Sequence, residues 1–76
     1  MYIACVIRKS LQGVDRGTKR YCERFNNFYD AKKYAEWENH RAVAIGEQAE
    51  YTVVDYSEEV MKLPKRICYE NVKWLL

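Results

Sequence analysis

Hydrophobic and polar positions along this chain follow two different periods. In residues 2–8, Ile3, Cys5 and Ile7 fall on one side and Tyr2, Ala4, Val6 and Arg8 on the other, the period-two pattern of a strand. Both sides are largely apolar, which suits a central strand better than an edge strand. Residues 9–17 are polar and carry Gly13 and Gly17 as turn punctuation. Alternation resumes over residues 18–25, with Tyr21, Glu23 and Phe25 on one side and Arg20, Cys22 and Arg24 on the other. An antiparallel hairpin is expected, with Ile7 opposite Tyr21 and Ile3 opposite Phe25, because a slip of one residue would bring Arg20 and Arg24 to those places. That register also sets Glu23 against Cys5.

Asn26 and Asn27 end this strand and start a helix. Asn27 is the expected N-cap, and Asp30 three residues on complements the helix N-terminus. Phe28, Ala31, Tyr34 and Ala35 recur at helical spacing and form the expected inward stripe, with Lys32 and Glu36 on the wet side. After Glu38 the pattern weakens; Ala42 to Ile45 can extend the helix as far as Gly46. Residues 50–57 hold Tyr51, Thr52, Val53, Val54 and Tyr56, all strand formers. Residues 58–63 read as a short helical turn ended by Pro64. In the tail, residues 66–69 and 72–75 read as two short strands about a Glu70-Asn71 turn, although Cys68, Val72, Leu75 and Leu76 also fit a helix.

The order is β–β–α–β followed by a short C-terminal unit. The simplest way to bury these stripes is an α+β fold, a small antiparallel sheet with one main helix packed on a face. With 76 residues the chain is read as a single domain, 1–76, with a small core that buries about 60% of the unfolded surface.

Composition narrows the picture. Apolar residues make up 49% and charged residues 32%, which excludes a collagen-like, low-complexity or natively disordered chain. No run of 18 apolar residues occurs, so no membrane span is expected. The opening residues lack the basic lead and apolar length of a secretory signal, and a cytoplasmic location is expected, host cytoplasm for a phage-encoded chain. The net charge is only +2, yet residues 1–24 hold six basic side chains against two acids. Such a basic segment attracts phosphate or an acidic protein surface; it also serves to keep an edge strand from pairing with its neighbours.

Cys5, Cys22 and Cys68 are odd in number and lack a Cys-x-x-Cys spacing, so they read as packing residues in a reducing compartment. The sole histidine, His40, has no cysteine or carboxylate cluster at metal-ligand spacing. Glu36, Glu38, Glu58 and Glu59 read as solvated helix faces. Gly13 and Gly17 lack the context of a phosphate-binding loop, and Ser10 and Ser57 have no adjacent base. No catalytic residue, cofactor or metal is expected.

The unusual feature is aromatic: seven Tyr, two Trp and two Phe in so short a chain. Phe25, Phe28, Tyr34, Tyr51 or Tyr56 are expected in the core. Tyr29 and Trp37 fall off the helix stripe, while Tyr2 and Trp74 lie near the termini. Aromatics of this kind either sit at the margin of a small core with a wet polar tip or anchor an interface with arginine. The expected partner-binding set is Trp37, Tyr29, Arg20 and Arg24. The alternative is a nucleic-acid surface on the hairpin, formed by Arg8, Lys9, Arg16, Lys19, Arg20 and Tyr21, where cations follow the backbone and a ring stacks on a base. A homo-oligomer built on a free strand edge or the apolar tail is a third reading.

The run Arg24-Phe25-Asn26-Asn27-Phe28-Tyr29-Asp30-Ala31-Lys32-Lys33-Tyr34-Ala35, leading to Tyr51-Thr52-Val53-Val54-Asp55-Tyr56, resembles the very short accessory proteins of bacteriophages. A strand, an alanine-containing helix and a returning valine-rich strand recur in small phage inhibitors of host machinery, some anti-CRISPR proteins and host polymerase inhibitors among them. The resemblance covers roughly residues 20–56. It implies stoichiometric docking on a larger host protein, without catalysis, and carries no binding residue with it.

Overall fold

The apolar run at the start of the chain becomes the middle of a sheet. In the computed structural model, which describes residues 1–66, Ala4–Ser10 forms β1, Lys19–Phe25 β2, Phe28–Ile45 α1, Ala49–Asp55 β3 and Glu58–Met61 the short α2. The sheet has the order β2-β1-β3, and β1 pairs antiparallel with both neighbours. One main helix packs on it, as the α+β reading expects. Ala4 and Val6 face α1 and are fully buried there with Cys22, Ala31, Ala35, Ala42 and Tyr51. Three alanines on α1 let the helix lie close to the strands.

Cys5 points to the other face of β1, yet it is also fully buried. The Ser57 backbone lies close to its sulfur, so the chain leaving β3 covers this part of the second face. That chain returns at the far side of the sheet. The Tyr21 N–H donates to the Pro64 carbonyl (3.1 Å) and the Arg66 N–H donates to the Tyr21 carbonyl (2.9 Å), so Lys65 sits parallel to Tyr21 along the outer edge of β2. The expected C-terminal strands, residues 66–69 and 72–75, lie outside the described residues apart from Arg66.

The hairpin register differs from the expected one in an instructive way. Ile7 does oppose Tyr21, but Phe25 opposes Ala4 and Glu23 opposes Val6, with the register shifting between Val6 and Ile7. One extra residue on β2, Cys22, forms a bulge. The bulge turns the Cys22 side chain into the core and moves Phe25 onto the helix side, where its ring meets Tyr34 edge-on with centroids 5.4 Å apart.

The helix is bounded as its local sequence requires. Asn27 is extended, and its Oδ1 accepts the Asp30 N–H at 2.8 Å. At the other end Gly46 adopts φ 74°, its N–H donates to Val43 O, and the Glu47 N–H donates to Ala42 O. These paired bonds close the last turn and need the left-handed conformation that glycine tolerates. The buried row is Ala31, Ala35, Glu38 and Ala42, which corrects two expectations. Phe28 is 47% exposed, because it lies in the first turn, ahead of the first residue that α1 buries. Glu38 is buried, not solvated, because it sits three residues after Ala35 on the inward row. Glu36, Glu58 and Glu59 are exposed as expected.

Candidate functional site

Burying Glu38 demands compensation, since an isolated carboxylate in a core costs many kcal/mol. The chain supplies it with two arginines, which a wider network links to β1 and β3. Arg41, one turn along α1, donates from Nε to Glu38 Oε1 at 2.9 Å. Arg66, beside β2, donates from Nη1 to Glu38 Oε2. Arg41 Nη2 also donates to Glu47 Oε1 (3.2 Å) and to the Tyr51 hydroxyl (3.1 Å), and that hydroxyl donates to Glu47 Oε1 at 2.6 Å. Arg8 Nη2 of β1 and Arg66 Nη2 each lie 3.8 Å from Glu47 Oε2. The Arg66 guanidinium also stands over the Tyr51 ring, 5.1 Å from its centre.

Three guanidiniums thus surround two carboxylates whose side chains are 2% and 9% exposed. Burial, the Glu47 hydrogen bond and the Glu47 charge all hold the Tyr51 hydroxyl above its ordinary pKa. Both carboxylates are engaged by cations on the protein itself, so the cluster ties α1, β1, β3 and the residue-66 segment together. Nearby, burial raises the Cys22 thiol to about 11, and burial likewise raises Cys5; both are poor nucleophiles at neutral pH. A cleft of about 250 Å³ lies beside the cluster, lined by Cys22, Glu23, Tyr34, Lys65 and Arg66, below the roughly 300–1,000 Å³ usual for small-molecule sites. Among the described residues no three His, Cys, Asp or Glu side chains converge as for a metal ion, and no helix is long and apolar enough to cross a membrane.

The helix turns a second set of residues outward. Tyr29 is 69% and Trp37 59% exposed, on the side of α1 away from Ala31, Ala35 and Ala42. Lys33 stands between them along the helix, its Nζ 5.4 Å from the centre of the Tyr29 ring. In the last turn Val43, 84% exposed, and Ile45 leave further apolar surface in water.

The two arginines of the expected partner-binding set lie elsewhere. Arg24 opposes Cys5 and so belongs to the face away from α1, where its guanidinium stacks on the Tyr2 ring at 4.4 Å. Arg20 is half-buried on β2 and donates to the Lys65 carbonyl at 3.4 Å. Of the hairpin cations, Arg8 is turned into the ionic cluster. Lys9 and Lys19 are exposed and directly paired, Arg16 is exposed in the turn, and Tyr21 is half-buried.

Arg41 and Glu47 are not singled out along the chain, while Glu38 reads as a solvated face and Tyr51 as a core residue. For Glu38 a signal existed, its place on the 31–35–38–42 row. Arg66 had none, because its partner lies 28 residues away. No protein-family model matches the chain, and no curated protein or solved structure matches it either.

Proposed function

We propose that this chain is a small non-catalytic binding protein that docks on a larger protein and occludes it, in the manner of the phage inhibitors its sequence resembles. The outer face of α1, with Tyr29 and Trp37, is the docking surface. The observation that carries the reading is that both rings are more than half exposed on a helix whose opposite row is fully committed to the core. Large aromatics held rigidly in water are the residues that anchor protein interfaces at low entropic cost. A rigid helix presents them without the ordering penalty a loop would pay. Arg20 and Arg24, placed on other surfaces, contribute at most to the rim.

The test is an affinity capture from bacterial lysate with and without nuclease, using the wild-type chain and a Tyr29→Ala/Trp37→Ala variant of matched circular dichroism. A single protein held by the wild type and lost by the variant is the expected result. A protein held equally by both overturns the assignment to α1. Capture that vanishes on nuclease treatment transfers the function to the exposed hairpin cations, and binding then falls steeply with salt as counterions are released.

A further inference from the structure

The edge of a sheet is a row of unpaired backbone groups that invites another strand. On β3, Glu50, Thr52 and Val54 pair inward with Lys9, Ile7 and Cys5, flanked by Leu11 N–H to Gln48 O and Tyr56 N–H to Ile3 O. The alternate residues Ala49, Tyr51, Val53 and Asp55 therefore aim their N–H and C=O groups away from β1. At Tyr51 both groups are taken by one side chain. Asn39 Oδ1 accepts the Tyr51 N–H at 2.9 Å, and Asn39 Nδ2 donates to the Tyr51 carbonyl at 3.0 Å. An amide reaching over from α1 thus makes the two bonds that one residue of a neighbouring strand would make. The outward groups of Ala49, Val53 and Asp55 carry no hydrogen bond among the described residues.

We propose that Asn39 is a gate on the outer edge of β3, and that the occupant it excludes is a second copy of this chain. The strand is self-complementary. In an antiparallel pairing centred on Thr52, Tyr51 meets Val53 of the other copy and Ala49 meets Asp55 through backbone bonds. On the side chains, Glu50 then opposes Val54 and Thr52 opposes Thr52, so no two acids face each other, and the arrangement is a closed twofold. All seven residues of β3 take part, and the pairing fails only where Asn39 already holds Tyr51. The gate is independent of the outer face of α1.

The experiment measures solution mass by light scattering over a wide concentration range for the wild type, Asn39→Ala and Asn39→Ala/Thr52→Lys, each checked for native circular dichroism. The wild type is expected to hold the one-chain mass. Asn39→Ala is expected to double in mass with concentration, and the exposed Thr52→Lys change, which opposes like charges at the twofold, is expected to return it to one chain. A folded Asn39→Ala that stays at one chain overturns the gate, and a double variant that still dimerises overturns the β3 register. If Asn39→Ala does not fold, Asn39→Asp, which keeps the acceptor and loses the donor, is measured the same way. Amide exchange on the wild type gives a second reading. Slow exchange at Tyr51 beside fast exchange at Val53 and Asp55 is expected, and protection at Val53 would mean the edge is already covered and overturns the proposal.

Discussion

Arg66 donates to Glu38 across 28 residues of chain, joining the middle of the main helix to the segment that closes the outer edge of β2. The carboxylate is 2% exposed and accepts from Arg41 as well. Its position in the core is therefore tolerable only while both cations are present.

Removing that carboxylate takes one anionic partner from each of the Arg41 and Arg66 guanidiniums. Glu38→Ala is expected to cost about 3–5 kcal/mol, a large share of what so small a domain has at roughly 0.05–0.15 kcal/mol per residue. Glu38→Gln, which keeps the volume and an acceptor, is expected to cost less. Urea unfolding followed by circular dichroism separates the two; equal, small losses for both would mean that the ionic bonds add little.

Stability is expected to fall in alkali. Burial raises the Cys22 thiol from 9.0 to about 11 in the folded chain, so the unfolded thiol ionises first. The contribution is then complete below about pH 9 and is lost as pH climbs toward 11, at no more than about 1.4 kcal/mol per pH unit. Tyr51, also raised, acts in the same direction at higher pH. Thermal melts between pH 7 and 11 test this against Cys22→Ala, whose decline with pH is expected to be shallower.

The proposed docking face and the core are expected to separate cleanly. Tyr29→Ala and Trp37→Ala, on exposed positions, are expected to change stability by no more than about 0.5 kcal/mol while abolishing partner capture. A loss of several degrees in melting temperature for either one would place that ring in the packing of the fold.

The two ends of α1 allow a further comparison. Asn27→Ala removes the bond to the Asp30 N–H and is expected to cost about 1 kcal/mol. Gly46→Ala meets open space but must hold φ 74°, which costs about 1–2 kcal/mol in left-handed strain. Equal melting temperatures for Gly46→Ala and the wild type would show that the helix end relaxes to another turn.

What could be read along the chain was what local chemistry decides. The Asn27 cap, the stop at Gly46, the valine-rich third strand and the central place of β1 each follow from a few adjacent residues. The bulge could not be read that way. Residues 18–25 alternate without interruption, and only the tertiary demand to bury Cys22 and bring Phe25 against Tyr34 breaks the phase. Glu38 stood in plain view on the helical row, but its charge argued for solvent until Arg41 and Arg66 were in place. Tyr29 and Trp37 were legible as residues off the stripe; that Arg20 and Arg24 would lie on different surfaces from them depended on the sheet register.

The closure at Tyr21 bears on how the protein reaches this state. The hairpin, helix and third strand all precede residue 64 in the chain, yet the second cation on Glu38 comes only with residue 66. A partly assembled form without that segment holds a buried carboxylate with only one of its two cations, and the outer edge of β2 is left open. Such forms are poorly populated, so folding is expected to be all-or-none. Protection of the α1 and β1 amides should then rise and fall together, as one cooperative unit.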